Sequence, residues 1–111
     1  MGSAVTLTTL DKAGTASPAS GAWTCIILPA GTMHVMLSIP LSSTAAAIVD
    51  GVGASYAQDA SRNAGEGLHL PIGTSMTLDV PPSTDTRTIY VCGDGGTATI
   101  ELLPSSVRLS R

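Results

Sequence analysis

The feature that most restricts the fold of this chain is its pattern of short apolar and β-branched runs, separated by Gly, Pro, Ser and Asp. The runs are about five residues long, recur roughly every ten residues, and often alternate apolar with polar residues. No apolar stripe with helical spacing extends beyond about two turns. We therefore predict an all-β protein, and this number and spacing of strands favour a single antiparallel β-sandwich that is jelly-roll-like.

The predicted strands are about eight short segments, with a short ninth at the end. Ala46–Val49 is the least distinctive of them, because Ala45–Val49 also fits a helical turn. The full set is Val5–Leu10, Trp23–Leu28, His34–Ile39, Ala46–Val49, Ala54–Gln58, Ser75–Val80, Arg87–Cys92, Thr97–Leu103 and Val107–Leu109.

The length of 111 residues is common for one domain. We expect residues 1–111 to form a single sandwich domain, in which residues 1–20 are also compatible with an N-terminal arm. The chain has no Phe, and its aromatic residues are Trp23, Tyr56 and Tyr90. The core between the sheets should therefore be built from aliphatic side chains.

The segment Gly93-Asp-Gly-Gly96 lies between two β-branched runs, Arg87–Cys92 and Thr97–Leu103. Glycines supply the positive φ angles that tight strand reversals require. This segment is therefore predicted to be the turn of a β-hairpin that pairs the two runs.

A second local pattern occurs twice. Leu28-Pro-Ala-Gly-Thr32 precedes His34–Ile39, and Leu70-Pro-Ile-Gly-Thr74 precedes Ser75–Val80. Pro presets the first turn position and Gly supplies the positive φ that follows. Two related halves that face each other across one core are one interpretation of the repeat, and coincidence is the other.

The charge of the chain argues against two classes of partner. Five Lys and Arg against eight Asp and Glu give a net charge of −3, so no basic field is available to attract nucleic acid or anionic lipid. No charged residue occurs between Lys12 and Asp50, but Pro18, Pro29 and Pro40 interrupt this stretch, whereas a membrane helix needs about twenty continuous apolar residues. We expect neither a nucleic-acid nor a membrane partner.

The scarcity of charge also bears on the surface and on the compartment. Large uncharged areas more often contact other molecules than solvent, although a neutral surface of Ser and Thr is the alternative. The first ten residues contain neither the basic nor the long apolar segment of a secretory signal. The chain is therefore expected to be made and kept in a cytoplasm.

Cys25 and Cys92 lie on different predicted strands and lack a metal-binding spacing. Without a secretory signal, two buried free thiols are expected, and a disulfide is the alternative. Trp23, Cys25 and Ile27 should share one face of their strand.

The two histidines have no neighbouring set of His, Cys or carboxylate ligands. His34 and His69 are expected at the surface or at a sheet edge, and His34 should face away from the core because it alternates with Val35. We predict no metal site and no cofactor.

Motifs for catalysis are lacking as well. The sequence has no Gly-x-Ser-x-Gly elbow, no P-loop ending and no dinucleotide-binding Gly-x-Gly-x-x-Gly. A pair of glycosidase carboxylates would also need an aromatic-lined cleft, which three aromatic residues scarcely provide. The chain is predicted not to be an enzyme.

In size, in its Ser-, Thr-, Ala- and Gly-rich composition, and in its Pro-x-Gly-Thr turns that lead into alternating strands, the chain resembles the small β-structured virion proteins of tailed bacteriophages. The resemblance covers most of the chain but has no diagnostic motif, so it transfers no functional residue. Jelly-roll decoration or cement proteins are the closest in length. The resemblance implies a structural virion protein, made in the host cytoplasm, that binds between subunits of the major capsid protein on the surface of the phage head.

Such a protein acts mechanically, because its contacts across capsid subunits stabilise the head without a chemical step. Closed symmetry favours a homodimer or homotrimer. The guanidinium group of arginine forms paired hydrogen bonds with a carboxylate, so arginines could bind carboxylates of the capsid. The alternative is that each arginine is simply solvated. The interface candidates are Val5, Leu7, Arg62, Arg87, Arg108 and Arg111.

Two other classes of function stay open. A tail- or fibre-associated module that binds a receptor or carbohydrate is the first, although the scarcity of aromatic residues disfavours it. A small enzyme of unrecognised type is the second, and a deep pocket with converging titratable groups would indicate it.

Overall fold

The computed structural model describes residues 4–50, 67–80 and 84–106. These residues contain nine strands: β1 (Ala4–Thr6), β2 (Gly14–Ala16), β3 (Thr24–Leu28), β4 (His34–Ser38), β5 (Ala46–Asp50), β6 (Leu68–Leu70), β7 (Ser75–Asp79), β8 (Arg87–Asp94) and β9 (Ile100–Ser105). None of the described residues is helical, so this part of the chain forms no helix long and apolar enough to cross a membrane.

The strands form two sheets. A five-stranded sheet has the order β1-β3-β8-β5-β6, and a four-stranded sheet has the order β2-β9-β4-β7. Successive strands change sheet at every step except from β5 to β6, which is the alternation of a jelly roll. The predicted all-β sandwich is confirmed, with one correction: β1 pairs parallel with β3, whereas the other strand pairs are antiparallel.

The core between the two sheets is aliphatic, as predicted. Its buried cluster contains only Ala, Val, Ile and Leu, and strand alternation directs Val35 and Leu37 of β4 and Ile89 and Val91 of β8 into it. Each large side chain removed from water in this way contributes about 1.5–3 kcal/mol. The cluster has no titratable member, so any chemistry must lie on the outer faces or at the ends.

The two copies of the Leu-Pro-x-Gly-Thr pattern form the same turn. The Thr32 hydroxyl donates to the Pro29 carbonyl at 2.7 Å, and the Thr74 hydroxyl donates in the same way to Pro71. The glycines have φ angles of 86° at Gly31 and 82° at Gly73, which an L side chain rarely adopts. The turn chemistry predicted from the sequence is therefore present twice.

Each turn carries the chain from the five-stranded sheet to the four-stranded sheet. The first connects β3 to β4 and is followed by β5, and the second connects β6 to β7 and is followed by β8. The copies do not face each other across the core, as one interpretation expected. They lie side by side, because β4 pairs with β7 and β5 pairs with β8.

The predicted hairpin around Gly93–Gly96 is wrong. β8 belongs to the five-stranded sheet and β9 to the four-stranded sheet, so residues 95–99 cross between the sheets. The chain at Pro18–Ser20 bonds to both sides of this crossing: the Gly93 N–H donates to the Ala19 carbonyl at 2.8 Å, and the Ala98 N–H donates to the Pro18 carbonyl at 3.0 Å.

The predicted bounds agree within one residue for β3, β4, β5 and β7, whereas β8 extends further and β9 begins and ends later than predicted. The strands β2 and β6 were not predicted. β5 is a strand and not the alternative helical turn. The segment Val5–Leu10 is shorter than predicted, and residues 4–20 supply β1 to one sheet and β2 to the other. The predicted strands Ala54–Gln58 and Val107–Leu109 lie outside the described residues.

Candidate interaction surface

The two apolar interface candidates face the core. Val5 lies opposite Ile26 in the β1–β3 pair, and both Val5 and Leu7 are partly buried against the core cluster. The Leu7 side chain also lies over Gly14, where an added Cβ would be 2.5 Å from Leu7 Cδ2. Leu7 follows β1 and Gly14 begins β2, so the contact between them joins an edge of the five-stranded sheet to an edge of the four-stranded sheet.

Of the four arginine candidates, Arg87 is the one that lies among the described residues. Arg87 lies on the same side of β8 as Ile89 and Val91, which face the core, and it is half-buried. Its Nε is buried and has no hydrogen-bond partner. Arg62, Arg108 and Arg111 lie outside the described residues, so their role as interface residues stays a prediction.

The two cysteines belong to a second buried cluster, on the outer face of the five-stranded sheet. Its members are Trp23, Cys25, Ile48, Tyr90 and Cys92, with Ile27 packed against them. Neither thiol is in a disulfide and both are buried, as predicted. The Trp23 and Tyr90 rings meet edge to face, with centroids 6.5 Å apart and planes at 80°, so neither buried ring offers a stacking surface to a ligand.

His34 is buried, contrary to its expected surface position. It lies outside both apolar clusters but is only 8% exposed. In register it stands between Asp79 of β7 and Ser105 of β9, which sets a serine, a histidine and an aspartate in one row. His34 Nδ1 is buried without a hydrogen-bond partner, whereas a nucleophile relay requires the carboxylate to hold that nitrogen. The row is therefore not assembled as a relay.

His69 and Asp94 form an exposed pair on the other sheet. His69 Nδ1 lies 3.0 Å from Asp94 Oδ2, and both side chains are accessible to solvent. The pair bridges β6 and the end of β8 above β5. An exposed pair of this kind contributes little to stability, typically under about 1 kcal/mol.

The described residues offer little else for chemistry. Within residues 4–50, 67–80 and 84–106, no three His, Cys, Asp or Glu side chains gather closely enough to hold a metal ion. A shallow groove of about 170 Å³ lies beside β1 and is lined by threonines, Leu7, Lys12 and Ala13. No buried titratable group lines this groove.

The clearest surface feature is a set of exposed apolar side chains near β6 and β7. Leu41 is 85% exposed, Leu68 60% and Ile72 39%. The loop with Leu41 and the turn with Ile72 touch, because the Gly73 N–H donates to the Ile39 carbonyl at 2.7 Å. An added Cβ at Gly73 would lie 2.8 Å from Leu41 Cδ2. We call Leu41, Leu68 and Ile72 the apolar rim.

The apolar rim lies in uncharged parts of the chain. No Asp, Glu, Lys or Arg occurs in residues 13–49 or 67–78, which include all three side chains of the rim. Sequence reasoning did not select these residues. Leu41 and Ile72 have a local signal, an apolar residue directly after a proline in a turn (Pro40-Leu41 and Pro71-Ile72), where neither sheet can cover it.

No family model, curated protein or solved structure matches the chain. The candidate surface is therefore assigned from its geometry and composition alone.

Proposed function

We propose that this chain is a capsid decoration protein, which binds between subunits of the major capsid protein on the outside of a bacteriophage head and stabilises it. The proposal combines the sequence resemblance to small virion proteins with the jelly-roll-like sandwich. Jelly rolls occur in viral capsid proteins and in lectins, which act by contact.

The observation that carries the proposal is the uncharged apolar rim. Leu41 is 85% exposed, and the turn that its loop touches carries a second exposed apolar side chain, Ile72. Such side chains gain free energy when another surface covers them. Full burial contributes about 1.5–3 kcal/mol for each such residue. Exposed apolar patches of this kind mark contact sites between proteins.

The size and charge of the chain suit the same role. The molecule measures 34 × 29 × 23 Å, which is small enough for one copy to lie over a seam between capsid subunits. With its net charge of −3, it is not attracted to the packaged nucleic acid. The contact is therefore expected with the protein shell.

The test uses heads assembled from the major capsid protein encoded in the same genome, prepared without this chain. Purified protein should co-sediment with the heads at a fixed stoichiometry and raise the temperature at which they break open. A Leu41→Ser/Ile72→Ser double variant should bind about tenfold more weakly or worse, because two apolar contacts are lost.

Met36→Ser is the matched control, since Met36 is an exposed apolar residue (45%) on the outer face of the four-stranded sheet, in β4 and outside the turns that contain Leu41 and Ile72. It should bind as the wild type does. Lack of uptake of the folded wild-type protein by these heads would contradict the decoration function. If the double variant binds the heads as tightly as the wild type does, the apolar rim is not part of the interface.

A further inference from the structure

β7 differs from the other strands at the edges of the two sheets. The edge strands among the described residues are β1, β2, β6 and β7. The first three have three residues each, and β7 has five. Short length, charged side chains, Pro and bulges are the usual protection of an edge against pairing with another chain, and Ser75–Asp79 has only one of these, the charge of Asp79 at its end.

The hydrogen bonds between β7 and β4 show which backbone groups of β7 are already used. The Val80 N–H donates to the Met33 carbonyl at 3.0 Å, and the Ile39 N–H donates to the Thr74 carbonyl at 2.9 Å. In an antiparallel pair these bonds involve every second residue. The even-numbered residues of β7 therefore direct their N–H and C=O groups towards β4.

The odd-numbered residues direct theirs the opposite way. Ser75, Thr77 and Asp79 thus present their N–H and C=O groups at the open side of the four-stranded sheet. Their side chains are exposed. This edge has the form that accepts one further antiparallel strand.

We propose that β7 pairs antiparallel with β7 of a second copy, about a two-fold axis at Thr77, and so makes the protein a homodimer. In this register Thr77 faces Thr77 of the second copy, and Ser75 faces Asp79. Each of these residue pairs exchanges two backbone hydrogen bonds, so every outward N–H and C=O group of β7 is satisfied. The two four-stranded sheets become one continuous sheet.

The side chains of β7 are complementary to themselves in the same register. On the core-facing side, the half-buried Met76 and Leu78 lie opposite Leu78 and Met76 of the second copy, which covers both. On the outer side, each Asp79 faces a serine hydroxyl and lies far from the other carboxylate. A parallel pairing would set the two carboxylates side by side, at a cost in free energy.

The dimer concerns the pure protein and does not depend on any capsid. Sedimentation equilibrium should give a mass twice the 11.1 kDa of one chain. The Thr77→Lys variant sets two like charges directly opposite each other at the axis, so its dimer dissociation constant should rise about tenfold or more. Thr15→Lys is the matched control, because Thr15 is exposed on β2 at the other edge of the same sheet, and it should leave the dimer intact.

A charge-complementation experiment identifies the axis. The Thr77→Lys and Thr77→Glu variants should each be monomeric, and an equal mixture should form a heterodimer. Hydrogen exchange gives a second readout: the amides of Ser75, Thr77 and Asp79 should become protected as protein concentration rises. A wild-type monomer at high concentration, or a dimer in which these amides stay unprotected, would overturn the proposal.

Discussion

At the scale of single residues, Cys25 has the environment with the clearest chemical consequence. Burial raises the pKa of its thiol, and the hydrogen bond with Tyr90, directly opposite on β8, partly offsets this rise. A raised pKa means that the folded state favours the neutral thiol more than the unfolded state does.

The Cys25 thiol should therefore make the stability of the protein depend on alkaline pH. Its contribution is fully present below the ordinary thiol pKa of 9.0 and is lost as the pH rises through the higher pKa of the folded state. We expect the free energy of unfolding to fall more steeply above about pH 9 for the wild type than for Cys25→Ala. Urea unfolding at a series of pH values measures both curves, and parallel curves would contradict the assignment.

At the scale of the elements, the crossing from β8 to β9 depends on Gly93. An added Cβ at this position would clash with the Gly96 carbonyl oxygen and would lie 2.9 Å from the Pro18 carbonyl oxygen. Both obstacles are backbone atoms, so neither moves aside as a flexible side chain does. The crossing needs a glycine here because of this close approach.

Gly93→Ala should accordingly lower the free energy of unfolding by about 2–4 kcal/mol. Gly96→Ala is the control within the same segment, since its nearest atom would be the Ala45 Cβ at 3.4 Å, and it should cost less than about 1 kcal/mol. Urea unfolding at neutral pH compares the two variants. A similar loss of unfolding free energy in both variants would show that the close approach of backbone atoms is not the reason why residue 93 must be glycine.

A comparison of the two Leu-Pro-x-Gly-Thr turns with the crossing from β8 to β9 shows what local sequence can and cannot predict. The Leu-Pro-x-Gly-Thr turns were predictable because one proline, one glycine and one threonine hydroxyl make their contacts within the turn itself. The pairing of β8 with β9 was predicted wrongly, because Gly93 and Ala98 bond to Pro18–Ser20, far away in the chain. Partner choice between strands is a tertiary property that local patterns do not contain.

The candidate surface was predictable only in its composition. The lack of charge in residues 13–49 indicated a contact surface, but not where it lies. Val5 and Leu7 were selected as apolar residues near one end of the chain, yet β1 pairs with β3 and directs Val5 towards the core. Leu41 and Ile72 are exposed because they lie in turns at the end of the sandwich, which depends on how the sheets are arranged.

At the scale of the whole molecule, the sandwich should unfold as one unit. Each Leu-Pro-x-Gly-Thr copy gives strands to both sheets, and the copies pair with each other in both. Neither copy can therefore bury its core side chains alone. We expect the fluorescence of the buried Trp23 and the far-UV circular dichroism to change at the same urea concentration. Two separate midpoints would show that one part of the sandwich unfolds independently.

The side-by-side arrangement of the two turn units also bears on the origin of the chain. Each unit runs from the five-stranded sheet through the same turn into the four-stranded sheet and back, which is the form expected when the gene for one ancestral unit is duplicated and fused in tandem. Before such a fusion, two separate polypeptides would have met where β4 now lies against β7. On this account the β4–β7 pair would be the former contact between two chains.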